Sequence, residues 1–570
     1  MMNKKIAQMF NEIADLLELK GVDFKPRAYR KAARKIESMK EDISHYYEDD
    51  DLKEIEGVGD AMEMKIKEII ETGSLEYLEE LKEELPSGLI DVMRVPDIGP
   101  KSAKKLHDEL GIKDLDSLKT EAEEGNIKDI KGFGEKTQQK IISGIEMLEE
   151  ISGRHLLDEV IPVSEEIIEY LETKAERIEK AGSLRRWKET IGDIDILATG
   201  NSDELMDAFA DYEEVDDVLV KGETKTSVRL IGGVQADLRV VDEESFGAAL
   251  QYFTGAKEHN VPLRQIAIDK GYKLNEYGLF KKETDEKIAG ETEEEIYNAL
   301  SLEWIPPELR ENRGEIEAAK EKNLPALIDL DDIKGDLQSH SDWSDGQNTV
   351  YEMAKEAQDI GYEYIALTDH SQGLSVADGL TKEDLEERRE EIDEAQKKLN
   401  INILDGIEVD IKKDGSLDMD HETLEDLDIV LGAIHSNFKM EESEQTERII
   451  EAFETGLIDI FAHPTGRKLG EREGYDVDIN KIIESAVKND VILEINASPQ
   501  RLDLDSLDAR EAMERDVMIS LGTDAHGLSH LKFMKYGVAT ARRAWLEPED
   551  VLNTRSDEQL MEILGGRKDG

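Results

Sequence analysis

Thr190-Ile-Gly-Asp-Ile-Asp-Ile-Leu-Ala198 sets two carboxylates, Asp193 and Asp195, two residues apart in an apolar run. Side chains of an extended chain alternate between faces, so residues two apart share one. Both carboxylates therefore aim at a single spot. Asp237, in Gly233-Val-Gln-Ala-Asp-Leu-Arg-Val-Val241, offers a third from another strand-like run. An all-oxygen site suits Mg²⁺, and a pair of such ions can clamp an in-line phosphoryl transfer. One Asp-x-Asp means little among 134 acidic residues. Its context is more specific: Gly182-Ser183 lies just upstream and Arg185 and Arg186 follow at once. A small-residue turn there can present N–H groups and a hydroxyl to triphosphate oxygens.

This combination resembles the nucleotidyltransferase palm of family X DNA polymerases. The resemblance continues through Tyr252-Phe-Thr-Gly255, Asn260, Arg264 and Asn275-Glu-Tyr277. It implies that Asp193, Asp195 and Asp237 bind Mg²⁺, with Asp237 accepting the proton of the primer 3′-hydroxyl. Gly182, Ser183, Arg186 and Gly255 would surround the nucleotide. Tyr252 and Phe253 would stack near its sugar and exclude a ribose, Asn260 would contact the base and Arg264 the template. A buried aromatic pair is by itself more often core, and Lys257 stands where relatives can carry an acidic residue.

A second constellation lies beyond residue 333. Short apolar runs end in polar residues and alternate with helical stretches: Gly335-Asp-Leu-Gln-Ser-His340, Ile365-Ala-Leu-Thr-Asp-His370, Asp405-Gly-Ile-Glu408, Leu431-Gly-Ala-Ile-His435, Ile460-Phe-Ala-His463 and Ile519-Ser-Leu-Gly-Thr-Asp-Ala-His526. Continuous apolar runs are the mark of parallel strands, and barrel enzymes place their chemistry at strand ends. Five of the chain's eleven histidines fall at such ends. These segments resemble the polymerase and histidinol phosphatase (PHP) domain, a distorted (β/α)7 barrel that hydrolyses phosphoesters with up to three metals. The resemblance implies His340, Asp345, His370, Glu408, His435, His463, Asp524 and His526 as ligands, with Glu408 bridging two metals. Mixed imidazole and carboxylate donors suit Mn²⁺ or Zn²⁺. Gln338 stands where the first histidine of the opening His-x-His would be, and as a metal donor its neutral amide oxygen is weaker than imidazole.

Ile55-Glu-Gly-Val-Gly59, Val95-Pro-Asp-Ile-Gly99 and Ile130-Lys-Gly-Phe-Gly134 recur at intervals of 40 and 35 residues, each followed by a helical pattern. Glycine permits positive φ and close backbone approach, and a following helix N-terminus offers N–H donors to a phosphate. The units resemble helix-hairpin-helix motifs, with Gly57, Gly59, Gly99, Gly132 and Gly134 on the DNA backbone; Asp97 replaces the first glycine of the second unit. Residues 1–80 also resemble the lyase-like domain of family X through Tyr29-Arg-Lys-Ala-Ala33 and Gly57-Val-Gly59. Lys65 aligns with its Schiff-base lysine, although a phosphate-binding lysine is the simpler reading.

The expected organisation is multidomain α+β and α/β. It comprises a helical lyase-like domain (1–84), a helix-hairpin-helix domain (85–153), the palm (154–244), a terminal polymerase subdomain (245–312), a charged linker (313–332) and the PHP barrel (333–570). The chain has no cysteine, which suits a reducing cytoplasm, and neither a signal peptide nor a membrane-length apolar run is evident. A net charge of −62 is unusual for a DNA-binding protein, because phosphate affinity ordinarily comes from Lys and Arg. Acidic residues spread over every domain resemble proteins of salt-loving microbes, in which salt screens self-repulsion. The expected protein is a monomeric repair polymerase acting on gapped or nicked DNA with dNTPs, whose barrel trims 3′ ends or cuts abasic sites. An RNA-directed nucleotidyltransferase is disfavoured by the aromatic gate and the hairpins. A DNA scaffold with a degenerate barrel is the other alternative.

Overall fold

The computed structural model describes residues 2–568 apart from 23, 38, 40–41, 49–50, 56, 85–87, 96–97, 152 and 375–376. Asp97 and the expected border at Leu85-Pro86 lie outside the described residues.

Helices from Met2–Leu19 to Glu135–Ile151 build the N-terminal part, and a single apolar core runs through it from Ile6 to Ile145. The first two hairpin glycines in sequence order, Gly57 and Gly59, divide the work: Gly57 adopts φ +87°, a left-handed value that disfavours a side chain, and Gly59 caps helix Asp60–Thr72. Gly132 repeats the positive φ and Gly99 the capping role, with Pro100 opening helix Pro100–Leu110. A Cβ on Gly59, Gly99 or Gly134 would meet nothing within 4 Å, so these turns face outward. The first turn of Asp60–Thr72 carries Asp60 and Glu63, whereas that of Pro100–Leu110 carries no acid. The second hairpin, despite Asp97, thus has the helix start more favourable to a phosphate.

The next unit is a five-stranded sheet in the order Ala175–Lys180, Asp193–Gly200, Gln235–Val240, Lys225–Leu230, Val215–Lys221. Only the pair Asp193–Gly200 and Gln235–Val240 runs parallel. A smaller three-stranded sheet, Tyr272–Asn275, Gly278–Lys281 and Lys287–Ala289, packs with helices Phe246–Thr254 and Lys257–Asp269.

Seven parallel strands from Gly335–Ser339 to Ile519–Gly522 follow in sequential order, and a parallel bridge between Ser339 and Ala525 brings the last back to the first. The result is a nearly closed barrel with helices outside it.

Residues 313–332, expected as a linker, include a helix packed into a core. Helix Glu315–Glu321 buries Ile316 and Ala319 against the small sheet. Glu315 is fully buried because its carboxylate accepts from His259 Nδ1 at 2.6 Å and from the N–H groups of Asn312 and Arg313. The charged composition hid a buried carboxylate whose charge is satisfied inside a core. The barrel is likewise no appendage: its Leu502 and Tyr536 belong to the apolar core of the five-stranded sheet.

Candidate active sites

The parallel register sets Asp195 directly beside Asp237, with Asp193 one step along the same face. Carboxylate oxygens of Asp193, Asp195 and Asp237 lie within 4.8 Å of one another, close enough to hold a divalent cation. Gly182 adopts φ +62°, and a Cβ there would stand 2.2 Å from Asp195 Oδ2. Glycine is required because its turn lies flat against the carboxylate. Ser183 and Arg186 follow in the same short helical turn, Gly182–Arg185, and its cap.

Burial, followed by the neighbouring charges of Asp193 and Asp237, pushes Asp195 up to about 7. Burial and Asp237 raise Asp193 as well. Asp237 behaves oppositely: burial would raise it, but hydrogen bonds from Lys225, Ser227 and Gln235 together with the Lys225 charge bring it below the usual carboxylate range. Lys225 Nζ stands 2.6 Å from Asp237 Oδ2. Three crowded carboxylates, two of them reluctant to ionise, fit a bound cation that would relieve their repulsion. One pH dependence follows. A proton on Asp195 competes with the cation, so apparent Mg²⁺ affinity should fall by up to about tenfold per pH unit below 7 and level off above it. Calorimetric Mg²⁺ titration at pH 6 and pH 8, in a Glu408→Gln background that isolates this site, checks the slope.

Tyr252 and Phe253 meet edge to face at 5.1 Å, and the Arg239 guanidinium lies 4.3 Å over the Phe253 ring. Asn260 is 8% exposed. Its amide donates to Tyr252 O and Gly255 O, both at 2.8 Å, while its oxygen accepts from Gln251. It locks the turn behind the aromatic pair, and Gly255 cannot be larger because a Cβ would approach Asn260 Oδ1 to 2.6 Å. Arg264 is partly exposed on the same helix, its Nε donating to Asn260 O. Arg186 joins the two segments, donating to Thr254 O at 2.6 Å and to Glu311 Oε1 at 3.3 Å. Lys65, further off in the N-terminal part, sits 4.4 Å over the Tyr77 ring.

In the barrel, His340, His370, His435, His463 and Asp524 lie just past strand ends, and Glu408 lies within strand Asn402–Asp410. Glu408 divides two groups of imidazoles. Its Oε2 faces His340 and His370 at 3.5 and 3.1 Å, and its Oε1 faces His435 and His463 at 3.3 and 2.8 Å. Asp345 stands 3.2 Å from His526 and 3.7 Å from His370, and Asp524 3.2 Å from His340. Buried atoms with no hydrogen-bond partner gather here, among them both His340 nitrogens, His370 Nδ1, Glu408 Oε2 and Asp345 Oδ1. Buried polar atoms are rarely left unsatisfied, so these residues fit metal ions. Burial opposes charge on His526 and His435, yet the neighbouring Asp345 and Glu408, respectively, push these imidazoles up to about 10 and about 9.

Gln338 is fully buried in strand Gly335–Ser339. Its amide end lies 3.0 Å from Glu494 Oε2 and donates there once its nitrogen is turned towards the carboxylate. Glu494 was not foreseen from sequence; it receives the His463 N–H at 2.8 Å. Burial, then the charges of Asp524 and Glu408, raises Glu494 well above the carboxylate range. The ligands enclose the floor of a cavity of about 660 Å³ whose walls include Lys468, Arg501, His530 and Phe533, and which Arg34 reaches from the N-terminal helices.

Comparison with known proteins agrees with this arrangement. Residues 1–75 match a helix-hairpin-helix domain, 89–147 a SAM-like helix-hairpin-helix tandem, 249–311 the DNA polymerase beta thumb and 336–498 the PHP domain. Over 571 residues, 99% of either chain, the protein is 40% identical to the DNA polymerase/3′-5′ exonuclease PolX of Bacillus subtilis (strain 168). It is 25% identical over 54% of its length to DNA polymerase lambda of Rattus norvegicus, covering 56% of that protein, and 26% identical, again over 54%, to the Arabidopsis thaliana enzyme of that name, covering 62%. Full-length identity of this order, with hairpins, thumb and barrel in sequence, makes the chain a member of the family X DNA polymerases that carry a C-terminal PHP domain.

Proposed function

We propose that the protein is a DNA-directed DNA polymerase that fills short gaps during repair and whose barrel removes nucleotides from 3′ ends as a metal-dependent phosphoesterase. The observation that carries the polymerase half is the parallel pairing of Asp195 with Asp237 against the Gly182 turn. Asp193, Asp195 and Asp237 would hold Mg²⁺, which supplies charge neutralisation at the reacting phosphate. Gly182, Ser183 and Arg186 would receive the triphosphate, and Tyr252 and Phe253 the sugar. Asp237, kept ionised by Lys225, is suited to accept the primer hydroxyl proton. The outward turns at Gly57–Gly59, Gly99 and Gly132–Gly134 would grip the DNA backbone. Lys65, engaged with Tyr77, is read as a structural or phosphate-contacting residue.

The barrel's eight ligands, His340, Asp345, His370, Glu408, His435, His463, Asp524 and His526, would hold Mn²⁺ or Zn²⁺. Gln338, whose amide end lies against Glu494, would be the weakest donor beside them. The unpartnered buried atoms weigh against a degenerate barrel. Primer extension and 3′-end release on one labelled gapped duplex, with Mg²⁺ or Mn²⁺, test the pair of activities. We divide the chain at residues 84, 153, 244 and 312, with the segment to 332 assigned to the thumb core.

The acidic surface carries a further reading, adaptation to high internal salt in the cytoplasm of a salt-loving cell. Charges repel over about 10 Å at 0.1 M salt and about 3 Å at 1 M, so a net charge of −62 favours the compact state only when screened. Contacts made by backbone N–H groups release few counterions. The slope of log affinity against log salt, about −0.9 per neutralised phosphate, should therefore correspond to about three phosphates or fewer. Binding isotherms and circular dichroism across KCl concentrations check this: retained structure and extension at molar KCl with loss in dilute buffer is expected, and full stability in dilute buffer would remove the salt-adapted reading.

A further inference from the structure

Helix Met534–Arg543 belongs to the barrel, yet its last residue reaches into the polymerase half. Arg543 Nη2 donates to Glu311 Oε2 at 2.9 Å, and Nη1 donates both to Glu311 Oε1 at 3.3 Å and to the main-chain oxygen of Arg186 at 2.8 Å. Glu311 Oε1 in turn accepts from Arg186 Nε at 3.3 Å. Lys188 and Arg313 complete the group, 3.5 and 3.3 Å from the same carboxylate. Arg543, Glu311 and Arg186 have side chains only 3, 9 and 12% exposed. Long buried side chains sharing hydrogen bonds in this way are fixed in direction.

We propose that Arg543 is a positioning residue of the polymerase site: by holding Glu311 and the Arg186 carbonyl, the barrel aims the Arg186 guanidinium at the triphosphate of an incoming dNTP. The inference rests on reading Gly182–Arg186 as the triphosphate turn.

Four cations surround the one Glu311 carboxylate beside Gly182-Ser183, and cations placed there suit a triphosphate. Burial would raise the Glu311 carboxyl, but Arg543 first, then Lys188 and Arg186, hold it at about 2, so it stays ionised and able to orient its partners. Burial disfavours charge on Arg186 and lowers its pKa, which Glu311 only partly offsets. Trp187, the next residue, is held at φ +52° and packs 6.4 Å from the Tyr536 ring on the same barrel helix. The turn is therefore fixed to the barrel from two sides. Without Arg543, Glu311 keeps only Arg186, Lys188 and Arg313, the Arg186 carbonyl loses its donor, and the guanidinium, otherwise tied to Thr254 O, is less firmly directed.

Single-nucleotide extension by the full-length protein tests this, with kcat and KM measured for dNTP together with 3′-end release and duplex affinity. Arg543→Met should raise the dNTP KM about tenfold and change kcat by less than about threefold, the signature of weakened nucleotide binding rather than lost chemistry. Arg543→Lys, which keeps the charge but not the fork, should lie between. Adding Glu311→Gln to Arg543→Met should recover part of the loss, since the two residues act as a unit. Release of 3′ nucleotides and DNA affinity should be unchanged. A folded Arg543→Met protein with wild-type dNTP KM overturns the inference. So does loss of extension, hydrolysis and melting temperature together in both Arg543 variants, which marks a merely structural residue. Arg186→Met separates the levels: an unchanged dNTP KM in that variant overturns the triphosphate reading itself, whereas a raised KM there beside a wild-type KM in Arg543→Met overturns only the role of Arg543.

Discussion

Asp195→Asn should lower nucleotide addition by at least about a thousandfold while leaving release of 3′ nucleotides within about twofold of wild type. Asparagine keeps the shape and removes the charge of the residue at the centre of the triad, beside Asp237 across the parallel pair and against the Gly182 turn. A loss of this size corresponds to about 4 kcal/mol in the transition state. It is the scale expected when a group acting on developing charge is removed. The barrel ligands share no residue with this triad, which is why hydrolysis should survive. Single-turnover extension and 3′-label release on the same preparation check both halves.

The second large effect should come from Glu408→Gln. One buried carboxylate faces four imidazoles, two on each oxygen. Replacing one oxygen by an amide removes the anion and presents N–H to half of that set. Metal content of the barrel should fall, and 3′-nucleotide release should drop by at least about a thousandfold, as for loss of a cation that generates the nucleophile and steadies the leaving oxygen. Extension should remain. Metal analysis and circular dichroism of the purified variant separate loss of ions from loss of fold. Wild-type metal content with wild-type hydrolysis would remove Glu408 from the site.

Periodicity marked candidate positions for both sites, because each lies on strands whose side chains alternate or whose ends line up, and the resemblance to known families singled them out. Asp193 and Asp195 were legible from their spacing, and His340, His370, His435 and His463 from apolar runs that stop at a polar residue. What packing across long separations creates was not legible. Lys225 is one of 72 basic residues, and nothing local marks it as the partner of Asp237. Arg543 lies 357 residues from the carbonyl it holds. Residues 313–332 read as a linker because charge usually means solvent, whereas His259 and backbone N–H groups satisfy Glu315 inside a core. The resemblance implied Asn260 as a base contact, but sequence could not show that its amide is occupied by Tyr252 and Gly255.

The central claim is that one chain carries two independent metal-dependent sites, one adding nucleotides and one removing them. A single gapped duplex, labelled at the primer 5′ end, tests it directly when Asp195→Asn, Glu408→Gln and an equimolar mixture of the two are followed in parallel with Mn²⁺ and dNTPs. The account predicts that Asp195→Asn only shortens the primer, that Glu408→Gln only extends it, and that the mixture does both. Loss of both activities in either folded variant would contradict it.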